Sequence, residues 1–158
     1  DMGGPINKAS YVTGTALLTS AGSVGSDVMA AVMIGGMVPP LAIAISATIN
    51  KNIWPKAQRS GALVNYVMGL SFITEGAIPF AASNPARVIP PLFISSGIAG
   101  ALSMTFGIVS KAPHGGIFAV FANAVSNQFM YLLALVIGAV LGALLLIASL
   151  SFGKKIVK

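Results

Sequence analysis

Three acidic residues occur in this 158-residue chain, and one of them, Glu75, lies within a long apolar surround. Its stretch at 69–80 reads GLSFITEGAIPF, so a hydroxyl from Thr74 precedes the carboxylate. An ionised carboxylate is costly at membrane depth and usually faces a polar cavity or pathway. There it can accept hydrogen bonds from vicinal hydroxyls, and partial burial would suit it to act as a general base. The alternative is a structural carboxylate paired with Arg87 or Lys111.

His114 is the single histidine and lies in the stretch KAPHGGIF. Its two ring nitrogens can hold a hydroxyl or carry a proton near neutral pH. Gly115 and Gly116 would allow the backbone to approach a ligand closely. A loop histidine bonded to backbone carbonyls is the alternative. No metal site is predicted, because the chain has no cysteine and no carboxylate at ligand spacing from this histidine.

Asn7 and Lys8 follow Gly3-Gly4-Pro5 directly before a predicted helix. Amide and ammonium groups bind hydroxyls and phosphate oxygens well, although a lysine here would equally serve as an anchor at a membrane interface. Arg87 is open to the same two interpretations, as a group that offsets phosphoryl charge or as an interfacial anchor. The chain has no phosphate-binding glycine loop followed by Lys and Ser or Thr.

The composition predicts an all-α, polytopic membrane protein. Hydrophobic residues make up 56% of the chain and charged residues 8%, far from the balance of soluble domains. Lysines and arginines lie between or after apolar runs, so the loop at 50–59, with Trp54 at interface height, and Lys154-Lys155 are predicted on the cytoplasmic side. Nucleic-acid binding is excluded, because no basic soluble face interleaved with aromatic residues is present.

Several helices must position these groups. The prolines Pro39-Pro40 divide one apolar run, so separate helices are predicted there, and Asp27 is interpreted as a helix-start or loop carboxylate. Gly138 and Gly142, four residues apart, favour close helix pairing. The predicted helices cover residues 8–20, 26–37 and 40–50, with later spans at 92–109 and 130–152.

Two apolar segments are interrupted, near residues 74–90 and 111–118. The first carries too many prolines and glycines for two full crossings, so a helical hairpin that enters and leaves by the same face is predicted. Broken backbone at membrane depth survives only where protein or a water-filled cavity covers it. Carriers with discontinuous helices place their binding sites at such breaks.

Three motifs resemble one known family. The sequence GLSFITEGAIPFAASNPAR at 69–87 followed by VIPP, KAPHGGIF at 111–118 and DMGGPINKASY at 1–11 are similar to the membrane-embedded IIC domain of the bacterial phosphoenolpyruvate:sugar phosphotransferase system, fructose family. Family members place the sugar in a mobile transport domain with re-entrant hairpins and form homodimers through a scaffold domain. Because IIC domains are considerably longer, we expect residues 1–158 to be the C-terminal part, with earlier scaffold helices missing.

The resemblance implies a multi-pass permease of the bacterial cytoplasmic (inner) membrane. It would take up fructose or a related hexose and release it phosphorylated, acting as a protein-phosphocysteine:sugar phosphotransferase. The phosphoryl group would come from the phosphocysteine of a IIB partner, itself supplied by IIA and HPr, and no cofactor is expected. A non-phosphorylating carrier or channel for a small polar solute or ion is the alternative.

The resemblance also implies roles for individual residues. Glu75 and His114 would be catalytic, one of them accepting the proton of the attacking hydroxyl. Arg87 or Lys8 would offset phosphoryl charge. The predicted substrate-binding residues are Asn7, Lys8, Thr74, Glu75, Gly76, His114 and Gly115.

Overall fold

A computed structural model of the chain describes residues 2–156, apart from the side chains of Ser23 and of residues 153–156. Helices dominate this range, which contains two isolated β-bridges and no strand, so the all-α prediction is confirmed. The α-helices are α1 (Pro5–Ala21), α2 (Asp27–Ile49), α3 (Lys56–Leu70), α4 (Ile78–Ser83), α5 (Pro85–Thr105), α6 (Phe118–Phe121) and α7 (Gln128–Ile156).

The helices α2, α5 and α7 pack against one another as a three-helix bundle, and each is long and apolar enough to cross a membrane. Small residues permit the close packing. A Cβ added at Gly138 would lie 2.5 Å from the Ala99 Cβ, and one added at Gly142 would lie 2.7 Å from the Ser95 Oγ. The predicted close pairing through these two glycines is confirmed.

The prediction of separate helices at 26–37 and 40–50 is wrong, because α2 continues through Pro39 and Pro40. A proline inside a helix clashes with the carbonyl four residues earlier and leaves it without its donor. Those two carbonyls belong to Gly35 and Gly36, which have no side chains to add to the crowding. The helix starts as expected at Asp27, and the Ser26 hydroxyl accepts a hydrogen bond from the Met29 amide.

Two predicted boundaries also shift. Helix α3 begins at Lys56, so the loop expected at 50–59 is shorter. Trp54 is buried against Phe80, and its position at the height of a membrane interface stays a prediction. Helix α5 begins at Pro85, seven residues before the expected span at 92–109, because proline is well suited to the first helical turn. The first broken segment therefore covers residues 71–84.

Three parts of the chain come together at one end of the bundle: the segment that contains Trp54, the short helix α4 and the start of α5. The Trp54 ring donates to the Ser46 hydroxyl of α2 at 3.0 Å and meets the Phe80 ring of α4 edge-on at 5.0 Å. The start of α5 contacts the last part of α7 through Arg87 and Ser149. Helices α3 and α4 therefore leave and return at the same end, as predicted for a hairpin. The side chains of Lys154 and Lys155, and all of Lys158, lie outside the described residues.

The tip of this hairpin reaches the middle of α2. A Cβ added at Gly36 would lie 2.5 Å from Phe72 Cε2 and 3.0 Å from Thr74 Cγ2. At about 1.5 Å per residue, Gly36 is about 14 Å from the start of a helix about 35 Å long. The predicted re-entrant tip is thus held deep in the bundle.

The second broken segment approaches the same depth from the opposite end. There, Ser26 and Ser110 exchange backbone hydrogen bonds of 2.8 and 2.9 Å, and the Lys111 amide donates to the Ala124 carbonyl at 2.7 Å. Between these anchors the chain extends inward, and the Ile117 amide donates to the Leu70 carbonyl at the end of α3 at 2.8 Å. The two interruptions in the sequence therefore meet tip to tip.

Candidate functional site

The hairpin tip begins where α3 ends at Leu70. The Ile73 amide donates to the Met68 carbonyl at 2.8 Å, and the Phe72 amide donates to the Gly69 carbonyl at 3.1 Å. These bonds close the last turn of α3 and direct the chain into a short 3₁₀ turn at Thr74–Ala77. The turn presents the hydroxyl of Thr74 and the carboxylate of Glu75 side by side.

A row of polar groups connects α1 to this tip. The Asn7 amide nitrogen donates to the Thr74 hydroxyl at 3.4 Å, and that hydroxyl donates to Glu75 Oε2 at 3.5 Å. Gly3 completes the row, because a Cβ added there would lie 3.2 Å from Glu75 Oε1. Both distances exceed the usual donor–acceptor range, so these contacts are weak and a ligand hydroxyl could replace them at small cost.

His114 approaches from the second broken segment. Its ring meets the Phe72 ring at a centroid distance of 5.3 Å and an angle of 69°. Gly116 fixes this approach: its φ is +55°, and an added Cβ would lie 2.3 Å from the Leu70 carbonyl oxygen. Gly116 thus permits close contact with the backbone of the hairpin, whereas its place beside His114 predicted close approach to a ligand.

One cavity of about 490 Å³ brings these segments together, a size typical of small-molecule sites. Of the residues predicted for the site, Asn7, Lys8, Thr74, Glu75 and His114 line it. Three segments that are distant in the sequence therefore contribute to one concave surface. The remaining lining residues are Gly3, Tyr11, Val12, Phe72 and Ile73.

Comparison with known proteins gives one consistent answer. No family model matches the chain, and no solved structure matches it. The chain is 50% identical over 149 residues to a fructose-specific EIIB'BC component from Rhodobacter capsulatus, covering 94% of this chain and 25% of that protein. It is 45% identical over 146 residues to the fructose permease IIC component of Bacillus amyloliquefaciens, covering 92% of this chain and 46% of that protein.

An archaeal relative agrees with the bacterial ones. The fructose-specific EIIC component of Haloferax volcanii is 45% identical over 146 residues, which cover 92% of this chain and 37% of that protein. Over 92–94% of its length, the chain is similar to fructose-specific components of the phosphotransferase system that are named as EIIB'BC, IIC or EIIC. It is a membrane protein, and it spans about a quarter to just under half the length of these relatives.

Three of the predicted site residues lie off the cavity lining. Gly76 packs against α3 instead, where an added Cβ would lie 2.1 Å from the Asn65 Oδ1. Gly115 supports the loop, with an added Cβ 3.4 Å from the Ala119 amide nitrogen. Arg87 donates from Nη1 to the Ser149 carbonyl at 3.2 Å. These residues position the site or the bundle within the described structure.

The carboxylate of Glu75 is more open than the sequence analysis expected. Glu75 and His114 are both exposed. Thr74, the tip residue that packs against α2, is buried. The partly dry pocket that was expected around the Glu75 carboxylate is therefore not formed by Glu75, Thr74 and His114 alone. The partner of the carboxylate in the described residues is Thr74, and neither Arg87 nor Lys111 lines the cavity.

Two aromatic residues that line the cavity, Tyr11 and Phe72, were not singled out from the sequence. Tyr11 lies one helical turn after Asn7, so the spacing of four residues could have placed both on one face of α1. Phe72 lies two residues before Thr74 within the motif itself. Within residues 2–156, no group of three or more potential ligands from histidine, cysteine, aspartate and glutamate is placed to hold a metal ion.

Proposed function

We propose that this chain forms the sugar-binding part of a fructose-specific phosphotransferase-system permease. The observation that carries the proposal is one cavity that is shared by three segments of the chain. Its lining includes Asn7 and Lys8 of α1, Thr74 and Glu75 of the hairpin tip, and His114 of the opposing loop. Amide, hydroxyl and carboxylate groups at the edge of an aromatic wall suit a polyhydroxylated ligand. Relatives named for fructose support the choice of sugar.

In this proposal the sugar hydroxyls bond to Glu75, Thr74 and Asn7. The attacking hydroxyl displaces the cysteine thiolate of phosphorylated IIB, so an O–P bond forms while the S–P bond breaks. The hydroxyl proton passes to Glu75 or His114. Lys8 offsets phosphoryl charge, since Arg87 is engaged by Ser149 outside the cavity. No cofactor enters the step.

The proposal includes the setting of the reaction. Relatives that carry B or A components in their names support a IIB partner, reached by phosphoryl groups from IIA and HPr. We infer that the chain is the C-terminal part of a homodimeric, multi-pass IIC domain in the bacterial inner membrane. The three long apolar helices support a multi-pass domain, and the lysines and arginines between or after the apolar runs support a cytoplasmic side for the loops that carry them.

The first experiment tests the carboxylate. Fructose binding is measured by isothermal calorimetry on the detergent-solubilised protein and on its Glu75→Gln variant. We expect binding to be abolished while the melting temperature stays unchanged, because Glu75 is exposed and contributes little packing. Asp27→Asn is the matched control, since that carboxylate accepts from the adjacent Val28 amide at a helix start. Full binding by Glu75→Gln would remove the carboxylate from the mechanism.

The second experiment separates the phosphorylating permease from a simple carrier or channel. Vesicles containing the protein are supplied with external fructose and with internal phosphorylated IIB. The proposal expects internal fructose phosphate, with uptake dependent on the phosphorylated partner. Accumulation of unmodified fructose, independent of phosphorylated IIB, would favour the carrier.

A further inference from the structure

Phe72 adopts a backbone conformation that is unusual for its residue type. Its φ is +61°, in the left-handed region, where the Cβ of a side chain lies too close to the following carbonyl oxygen. This is the region in which glycine commonly follows a helix. A residue with a large ring is instead held here by contacts that determine where the ring lies.

Those contacts align three rings along the cavity. The Phe72 ring covers Gly36 of α2, where an added Cβ would lie 2.5 Å from Cε2. The Tyr11 ring lies 6.5 Å from the Phe72 ring at an angle of 35°, and the His114 ring lies 5.3 Å from the Phe72 ring at an angle of 69°. All three residues line the cavity.

The members of this wall differ in accessibility. Phe72 is 9% exposed, so most of its surface is used against its neighbours. Tyr11 is half-buried and follows Asn7 by one helical turn, so it offers ring surface beside a hydroxyl-binding amide. A sugar presents hydroxyls at its edges and C–H groups on its faces, and an apolar ring beside polar groups matches both.

We propose that Tyr11 is a substrate contact, whose ring packs against a C–H face of the sugar while Phe72 fixes the position of that ring. The proposal rests on the proposed function, because it needs a sugar in this cavity. In this proposal the ring of Tyr11 makes the apolar contact with the sugar, and Asn7, Thr74 and Glu75 bond to its hydroxyls. The hydroxyl of Tyr11 is not required.

The test compares fructose affinity in three variants of the whole chain. Tyr11→Leu removes the flat ring and should weaken binding about fivefold, the scale of one aromatic contact. Tyr11→Phe keeps the ring and should bind within about twofold of the original protein. Tyr66→Leu is the matched control, because Tyr66 is also half-buried but bonds to Thr48 away from the cavity; it should leave affinity unchanged.

A second measurement does not depend on a variant that alters packing. 4-Fluorophenylalanine is placed at position 72, and its ¹⁹F resonance should shift on addition of fructose and not on addition of sodium chloride. No binding by the unaltered protein would overturn both this inference and the proposed function. Normal binding by Tyr11→Leu, equal losses in Tyr11→Phe and Tyr11→Leu, or an unmoved ¹⁹F signal would overturn this inference alone.

Discussion

Arg87 and Ser149 form a reciprocal pair between the start of α5 and the last part of α7. The Ser149 hydroxyl donates to the Arg87 carbonyl at 2.9 Å, and the Arg87 guanidinium donates to the Ser149 carbonyl at 3.2 Å. The Arg87 carbonyl is the one that Pro91, four residues later, leaves without a helical donor. A side chain from another helix therefore supplies the hydrogen bond that the proline removes.

Removal of this hydroxyl should destabilise the bundle. Ser149→Ala leaves a carbonyl without a donor, so we expect the free energy of unfolding in detergent micelles to fall by about 1–2 kcal/mol. In a Pro91→Ala background the new amide can donate to Arg87, and the same substitution should then cost less than about 0.5 kcal/mol. Equal costs in the two backgrounds would show that Pro91 is not what makes Ser149 necessary.

Gly142 should tolerate no side chain, although an equivalent substitution on α5 should be harmless. An added Cβ would lie 2.7 Å from the Ser95 Oγ and 2.8 Å from the Ala42 Cβ, whereas nothing lies within 4 Å at Gly97. We expect Gly142→Ala to lower the unfolding free energy by about 2 kcal/mol. Gly97→Ala should leave it unchanged or raise it slightly. The opposite order of melting temperatures would refute the close packing of the three helices.

Gly116 should be needed for the two broken segments to meet. Gly116→Ala combines a left-handed φ with a clash against the Leu70 carbonyl, while Gly107→Ala has a similar φ of +61° and nothing within 4 Å. We expect the first to cost about 3 kcal/mol and the second about 1 kcal/mol. Hydrogen exchange at the Ile117 amide, which donates to Leu70, should accelerate in Gly116→Ala alone. Equal exchange in both variants would argue against the docking.

Asn65 should contribute little to stability despite its burial. It is 1% exposed, and among the described residues neither its side-chain nitrogen nor its side-chain oxygen has a hydrogen-bond partner. Because an unsatisfied buried amide is unfavourable, Asn65→Leu, of similar shape, should unfold at an equal or higher temperature. Asn127→Leu is the control: it removes an acceptor for the Met130 amide and should cost about 1 kcal/mol. A loss above about 2 kcal/mol in Asn65→Leu would reveal a buried water or other partner.

Much of this architecture could be predicted from the composition and from the glycines and prolines that interrupt the apolar segments. A lone glutamate and a lone histidine, each beside glycine and proline in apolar surroundings, indicated the two interruptions, and both lie at one cavity. The prolines and glycines of the first broken segment correctly predicted a hairpin whose two ends lie together. These signals are local, because a broken helix and an isolated charge are visible within a few residues of sequence.

What could not be predicted depends on contacts between distant segments. Whether Pro39 and Pro40 break a helix depends on the residues four positions earlier and on burial by α7, which a local proline rule does not include. The separation of Arg87 from the cavity depends on Ser149, 62 residues away. Tyr11 is a candidate substrate contact because its ring lies beside that of Phe72, a contact between residues 61 positions apart that the sequence does not reveal.

The unbroken course of α2 has a mechanical consequence. Pro39 and Pro40 leave the carbonyls of Gly35 and Gly36 without helical donors, so α2 bends most easily near these four residues. Phe72 and Thr74 of the tip pack directly against Gly36. A change in the curvature of α2 and a displacement of the carboxylate-bearing tip therefore cannot occur independently of each other.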